Sequence, residues 1–491
     1  MLSARKWVNS DEKWRYKKVL LCIPPFPGSF PWFHPGIGYL SEFLTKNGIV
    51  NWVCDLRLGY TTEDLLHWIK ELKPDLIGVT TMTFRHDIPY DIISKIKSSD
   101  YDIVVGGPHV STFRSKVLED CDADFAIKLE GEYPLLELCQ GMEFADIKGL
   151  IYRNGPHVIE NRDRPFIRNL DSIPFPRYEK TELGRYGRVI PIISSRGCPY
   201  LCIYCPIRVT MGGVWRSRSA ENVVKEMGYW YNRGYRTFDF LDDNFTLMND
   251  RVYAICDLIE KRNLAGLELH CSNGVRADRI DRDLLKRMRE VGFNYLCFGV
   301  EAGSNKVLQR IKKGCNIETV EQAIKNACEL GYEVGLFFMV GHPEETPSDV
   351  ENSIKLALKY PVTMANFYNI IPFPSTELFE WVKENNYFVG KWHEKLNYSA
   401  HLDRNPFFET PEFPLLERKK MLARTAKISK EIKRKSVERK LTRKFGSLGK
   451  NLTQILYSDA LYGLARQTYF RSGTMRRMVD ALRGRLKIYH I

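Results

Sequence analysis

Apolar residues in the first third of the chain come as short runs separated by stretches of helical spacing. Val19-Leu20-Leu21-Cys22-Ile23 is one such run, stopped by Pro24-Pro25. Others are Asn51 to Leu56, Asp75-Leu76-Ile77-Gly78-Val79-Thr80, Ile103-Val104-Val105-Gly106-Gly107 and Asp124-Phe125-Ala126-Ile127. Gly38 to Lys46 and Thr62 to Leu72 repeat apolar positions as helices do, and a further helix follows Glu130-Gly131-Glu132. Buried strands separated by helices predict a parallel, doubly wound sheet. Ligands of such sheets sit beyond the carboxyl ends of the strands, where the glycines fall here. A Pro-rich stretch from Arg164 to Arg177 then interrupts the pattern. From Val189 it resumes with longer units, and strands are expected at Val189–Ser194, Thr237–Leu241, Leu267–Ser272, Tyr295–Val300, Gly335–Val340 and Asn366–Ile371. Ala220–Asn232, Arg251–Arg262 and Val320–Leu330 read as helices between them. The expected division is an extension over 1–16, an α/β domain over 17–163, a linker over 164–188, a second α/β domain over 189–375, and an aromatic loop region with a helical basic tail over 376–491.

Composition, with 44% hydrophobic and 27% charged residues, is that of a globular protein. Met1 to Lys18 is polar and lacks an apolar core, and no apolar run approaches the roughly 20 residues that span a bilayer. Twelve cysteines in 491 residues, without a secretion signal, read as reduced thiols of a cytoplasmic protein. The net charge of +13 is unevenly placed: from Arg418 onward 21 Lys and Arg face 4 Asp and Glu, a net +17, so the rest of the chain nets −4. Basicity therefore belongs to the tail, and an anionic partner is expected there.

The chemistry concentrates at Ser194-Ser195-Arg196-Gly197-Cys198-Pro199-Tyr200-Leu201-Cys202-Ile203-Tyr204-Cys205. Cys198, Cys202 and Cys205 follow a strand at C-x3-C-x2-C spacing, and thiolates so bunched suit an iron–sulfur cluster or zinc. A closed structural zinc site takes four ligands, whereas three thiolates on a [4Fe–4S] cluster leave one iron open. Buried structural cysteines have no reason to crowd at a strand end.

This spacing, with Tyr204 just before the third cysteine, resembles the radical S-adenosylmethionine (SAM) superfamily. The resemblance implies an open, partial (β/α)6 TIM barrel with its chemistry at the C-terminal strand ends. Asp242 and Asp243 after the second strand then match the loop that receives the SAM amino group; a helix N-cap by Asp243 or Asn244 is the plainer reading, and the two are compatible. Ser272 and Arg276 follow the third strand, and an arginine there pairs with the SAM carboxylate. Glu301 and Ser304 close the fourth, where Glu301 meets a ribose diol or forms a surface ion pair. Gly341, in Gly341-His342-Pro343-Glu344-Glu345-Thr346, matches the segment beside the adenine, with a helix starting at Thr346-Pro347.

The N-terminal order of pieces resembles the flavodoxin-like cobalamin-binding domain of B12-dependent radical SAM enzymes: Pro35-Gly36-Ile37-Gly38-Tyr39-Leu40, then the loop of Gly106, Gly107 and His109, then Glu130-Gly131. Lys148-Gly149-Leu150-Ile151-Tyr152 and Leu170-Asp171-Ser172-Ile173-Pro174-Phe175-Pro176 match the linker of that family. No Asp-x-His-x-x-Gly is present, so His109 is expected near the corrin and not on cobalt. The resemblance implies a [4Fe–4S] cluster, SAM, cobalamin, and a reductant such as flavodoxin or ferredoxin. The implied activity is radical methylation of an unactivated carbon in a small-molecule or lipid-like substrate. Ring formation or C–C coupling is the alternative within the family, and an Fe–S or zinc nucleic-acid-binding scaffold is the rival outside it. The tail interleaves Leu456, Tyr457, Leu461, Tyr462, Leu464, Tyr469 and Phe470 with arginines, which favours an anionic membrane surface over nucleic acid.

Overall fold

The computed structural model describes residues 14–26, 32–398 and 405–457. In the first α/β unit the chain runs β1 (Lys18–Ile23), α1 (Pro35–Lys46), β2 (Val50–Asp55), α2 (Thr62–Leu72), β3 (Leu76–Thr80), α3 (Asp87–Ile96) and β4 (Asp102–Gly106). It continues through α4 (Pro108–Phe113), α5 (Lys116–Asp120), β5 (Phe125–Ile127) and α6 (Glu132–Cys139) to β6 (Leu150–Asn154) and β7 (His157–Glu160). Strand order is β2-β1-β3-β4-β5-β6-β7, parallel through β5, so the flavodoxin-like order reverses between β1 and β3. The sequence predicts no strand after β5 in this domain, and the antiparallel pair β6–β7 extends the sheet there. It is a hairpin turning at Gly155-Pro156, with Asn154 opposite His157 and Gly155 at φ 61°.

Residues 164–188 hold no long element, yet they are packed. Ile167, Leu170 and Ile173 join the core under the first sheet, and Tyr178 and Tyr186 join the core of the second.

The second sheet is β8 (Val189–Ile192), β11 (Thr237–Phe240), β12 (Glu268–Val275), β13 (Phe293–Glu301), β14 (Glu333–Val340) and β15 (Met364–Asn369), in the order β15-β14-β13-β12-β11-β8 and parallel throughout. β9 (Ser195–Arg196) and β10 (Arg216–Ser217) form a separate small ribbon beside α7 (Ile207–Thr210). The covering helices are α8 (Ala220–Tyr231), α9 (Asn249–Lys261), α10 (Arg282–Glu290), α11 (Asn305–Arg310), α12 (Ile317–Glu329) and α13 (Pro347–Lys359). Phe238, Phe240, Leu336 and Phe338 face those helices, while Tyr295, Cys297, Phe337 and Met364 group on the inner face. Period-two alternation separates the two sets. Thr346 caps α13 in a capping box with Asp349, the expected start.

After α14 (Glu377–Glu384) and α15 (Trp392–Tyr398) comes α16 (Leu415–Phe445), followed by α17 (Leu448–Leu456). The sequence reads α16 as a tail separate from the enzyme body, and the fold corrects this. Met421, Leu422 and Ile432 enter the barrel core with Ala365 and Phe367 of β15. Lys440 pairs with Glu333 at the start of β14. α16 therefore covers the open edge of the sheet from its C-terminal to its N-terminal rim. Leu461, Tyr462, Leu464, Tyr469 and Phe470 lie outside the described residues. Among the described residues no helix is long and apolar enough to cross a membrane.

Candidate functional site

The cysteine loop leaves β9 through Gly197, whose φ is 84°. A Cβ there would lie 2.5 Å from the Val214 carbonyl oxygen and 3.0 Å from that of Met211, so only glycine lets the loop turn. Cys198 N donates to Gly212 O (3.2 Å), and Ile203 is held at both ends, its N on Ile311 O (3.2 Å) and its O accepting from Leu378 N (3.0 Å). Cys198, Cys202 and Cys205 stand half-buried on this frame. Burial pushes the Cys198 thiol up and Cys205 to about 12, with the neighbouring thiols and Asp243 adding to the effect. Among the described residues no three Cys, His, Asp or Glu side chains converge on a single ion. A cubane cluster makes no such demand, because each thiolate takes a different iron. Three soft donors spread over one pinned loop fit that group.

Asp242 and Asp243 build this loop. Asp242 is buried and accepts from Ser194 N (2.6 Å) and from the Ser194 and Ser195 hydroxyls. One Asp243 oxygen accepts from Gly197 N (2.9 Å), and burial raises this carboxyl to about 6. Neither caps a helix, since α9 begins only at Asn249. Ser272 lies within β12 and not after it, donating by N (3.0 Å) and hydroxyl to Asp239. Arg276 forks onto Asp278 (2.9 and 3.1 Å) and stacks 3.5 Å over the Tyr200 ring, beside the cysteines.

Glu301 adopts a φ of 69°, rare for a side-chain-bearing residue and a mark of stored strain. Its carboxylate folds back over Gly299 onto Lys313 Nζ (2.8 Å), and both are buried. Ser304 precedes α11 without a capping bond. Tyr204 is half-buried, its ring 6.0 Å from that of His342. Gly341, at φ 105°, donates to Glu345 Oε2 (2.6 Å). The barrel mouth thus gathers Tyr204, Glu301, Gly341 and the cysteines. Asp239 and Lys313, which the sequence reading missed, stand among them. Asp239 was legible, because Phe238 and Phe240 face outward and must turn it inward.

At the first sheet's switch point, Thr81 N donates to Gly106 O (2.7 Å), joining the loops after β3 and β4. Gly107, at φ 111°, is required because a Cβ would lie 2.5 Å from Thr81 O, whereas a Cβ on Gly106 would meet only the Ile127 carbonyl oxygen, at 3.9 Å. His109 is buried in α4, stacked 4.5 Å from His86, with Nε2 on the Tyr90 hydroxyl (2.9 Å). Burial, with His86 beside it, lowers His109 to about 3, so the ring is neutral. Its Nδ1 has no partner. Exposed Met82, uncrowded Gly106 and this neutral imidazole leave an apolar edge beside the cysteine loop, which fits a flat macrocycle.

Glu130 faces the other way. Its carboxylate accepts from Arg196 (3.0 Å), Arg216 (2.7 Å) and Ile167 N (2.7 Å), and Glu132 takes the second Arg196 nitrogen (2.7 Å). Gly131 is the residue before α6, and a Cβ there meets ordinary contacts only. The Glu130-Gly131 loop is therefore spent on a buried ion cluster between the two sheets. Phe84 and Phe373 meet across the same junction, with ring centroids 5.5 Å apart.

A parallel doubly wound domain locked against an open parallel barrel with a three-thiol loop defines a two-cofactor radical enzyme. The radical SAM superfamily model matches residues 192–357, and the B12 binding domain model matches residues 29–139. The chain thus carries both a radical SAM domain and a B12-binding domain, the first implying a [4Fe–4S] cluster and SAM and the second cobalamin. It is 29% identical to an uncharacterized methyltransferase of Pyrococcus horikoshii over 82% of this chain and 90% of that one. A cytidylyl-2-hydroxyethylphosphonate methyltransferase of Streptomyces wedmorensis is 26% identical over 76% and 82%. An anaerobic magnesium-protoporphyrin IX monomethyl ester cyclase of Cereibacter sphaeroides is 26% identical over 72% and 61%. The solved radical SAM methyltransferase TsrM of Kitasatospora setae has the same fold, with a TM-score of 0.67, 21% identity, and coverage of 75% of this chain and 76% of that one.

Proposed function

We propose that the protein transfers a methyl group from SAM to an unactivated carbon of an organic substrate. The observation that carries this reading is the junction itself, where the cysteine loop and the strand ends of the B12-binding domain meet in one packed interface. When bound, the cluster and SAM supply a carbon radical and the corrinoid supplies a methyl group. The chain's own residues hold and orient: Asp242 and Asp243 fix the cysteine loop, Glu130 fixes its approach to the first sheet, and the packed mouth excludes water. The methyltransferase relatives support methylation. The cyclase relative favours ring formation as the second reading. Anaerobic enzyme loaded with hydroxocobalamin and given reductant and methyl-labelled SAM separates them. Methylation predicts label co-eluting with the protein-bound corrinoid together with 5′-deoxyadenosine, whereas deoxyadenosine with the label recovered only in the released methionine favours cyclisation. A small flavoprotein or ferredoxin is the reductant this reading calls for.

The outward side of α16 and α17 supports peripheral contact with an anionic surface. Lys419, Lys427, Arg443 and Lys444 are exposed, and exposed Leu448, Leu452 and Leu456 repeat every fourth residue. The full chain should sediment with anionic liposomes and be released by salt, and replacing the three leucines by serine should abolish sedimentation. Unchanged sedimentation of that variant, or displacement by stoichiometric tRNA that liposomes cannot reverse, rules the surface reading out.

A further inference from the structure

The C-terminal ends of β14 and β15 hold polar atoms that the fold leaves unbonded. Arg418 is wholly buried, yet Nε, Nη1 and Nη2 all lack a hydrogen-bond partner. Its surroundings are otherwise complete. Nη1 lies 2.6 Å from where a Cβ on Gly341 would stand, and the guanidinium carbon lies 4.4 Å from the Phe408 ring centroid and 5.1 Å from that of Phe413. Glu345 is wholly buried too. Its Oε2 accepts from Gly341 N and His342 N, but Oε1 is unbonded. Asn369, paired in register with Val340, leaves Oδ1 unbonded. Glu345 and Glu409 draw on Arg418 through space, and neither forms an ion pair with it.

A buried ion without a partner costs several kcal/mol. Cation–π contacts with two phenylalanines offset only part of that and leave the five donor hydrogens unmatched. Helix geometry explains the placement. Side chains lean toward a helix's N-terminus, so Arg418, in the first turn of α16, reaches past the helix start to the strand ends. Pro414 supplies no side-chain cap there, and the helix dipole adds its positive end to the guanidinium. A planar fork of donors with positive potential behind it is complementary to a carboxylate or phosphate.

We propose that Arg418 is a substrate-binding residue that takes a carboxylate or phosphate oxygen of the organic substrate, with Glu345 Oε1 and Asn369 Oδ1 left to meet donors on the same molecule. An incoming oxyanion replaces the face contact with Phe408. The substrate class is then a small anionic molecule or an anionic head group, not a bare hydrocarbon. This rests on the reading that the barrel mouth receives an organic substrate.

The test is isothermal titration of the full, cluster-loaded chain with inorganic phosphate and, separately, acetate at constant ionic strength. Wild type should bind one of the two anions saturably at one site per chain, and which one binds tells phosphate from carboxylate chemistry. Lys420→Ala, an exposed lysine of the same helix, should bind like wild type. Arg418→Lys should weaken binding roughly tenfold or more, and Arg418→Met should abolish it. No saturable binding by wild type overturns the proposal, as does unchanged binding by Arg418→Met. If the methionine variant does not fold, the lysine variant decides. The methyl-label experiment reads only SAM and corrinoid, so a failure here leaves its outcome independent.

Discussion

Two buried carboxylates, one after β11 and one after β14, are treated in opposite ways. Both oxygens of Asp242 are bonded, to an amide and two hydroxyls on the strand that delivers the cysteine loop. Glu345 has one oxygen clasped by two amides and the other bare, and burial pushes it up to about 8 despite Arg418 nearby. A carboxylate both of whose oxygens are met by the chain is part of the scaffold. One that shares an unbonded pocket with an unpaired guanidinium is waiting for something the chain does not contain. The first edge of the barrel is thus finished by folding, and the opposite edge is finished by a ligand.

The contrast breaks most severely at Asp242. Asp242→Ala strips partners from the Ser194 amide and from two buried hydroxyls at once, and should cost about 3–5 kcal/mol. The denaturation midpoint should fall accordingly, and anaerobic preparations should retain less iron, because the strand that aims the cysteines is no longer held. Full iron retention with native stability would show that the serines are satisfied some other way.

A smaller effect sharpens the comparison from inside the barrel. Asp239 has both oxygens engaged by Ser272, yet burial raises it from the ordinary 3.8 to about 6. A carboxyl raised on folding stabilises while protonated, so its contribution is full below about pH 4 and is lost as pH rises through 6. That amounts to about 3 kcal/mol. The stability of wild type relative to Asp239→Asn should fall by this much between pH 3 and pH 7, and a flat difference would show that Asp239 does not titrate in that range.

How much of this was legible follows from what each feature depends on. The parallel strands and the cysteine loop show in the sequence because apolar runs, glycines and ligand spacing are local. Strand boundaries differ by a few residues, most at β12, which carries Ser272 inside the strand. The partners of Glu130, Asp242, Glu301 and Arg276 were not legible. Those of Glu130, Asp242 and Glu301 lie far along the chain or on another element, Arg276 is tied to Asp278 two residues on, and residue type alone cannot tell a ligand from a tie. Arg418 gave no signal at all, being one basic residue among many. Only the packing of α16 against β15 separates it from its solvated neighbours.

The ion cluster of Glu130, Glu132, Arg196 and Arg216 also constrains how such a protein is inherited. Arg196 stands two residues before Cys198, and both of its acidic partners belong to the first domain, Glu130 in the loop after β5 and Glu132 at the start of α6. Grafting in a corrinoid domain from a relative without those two acids would strand two buried guanidiniums beside the first cysteine. The halves look like interchangeable cassettes in their strand order, but at this seam they can be exchanged only together.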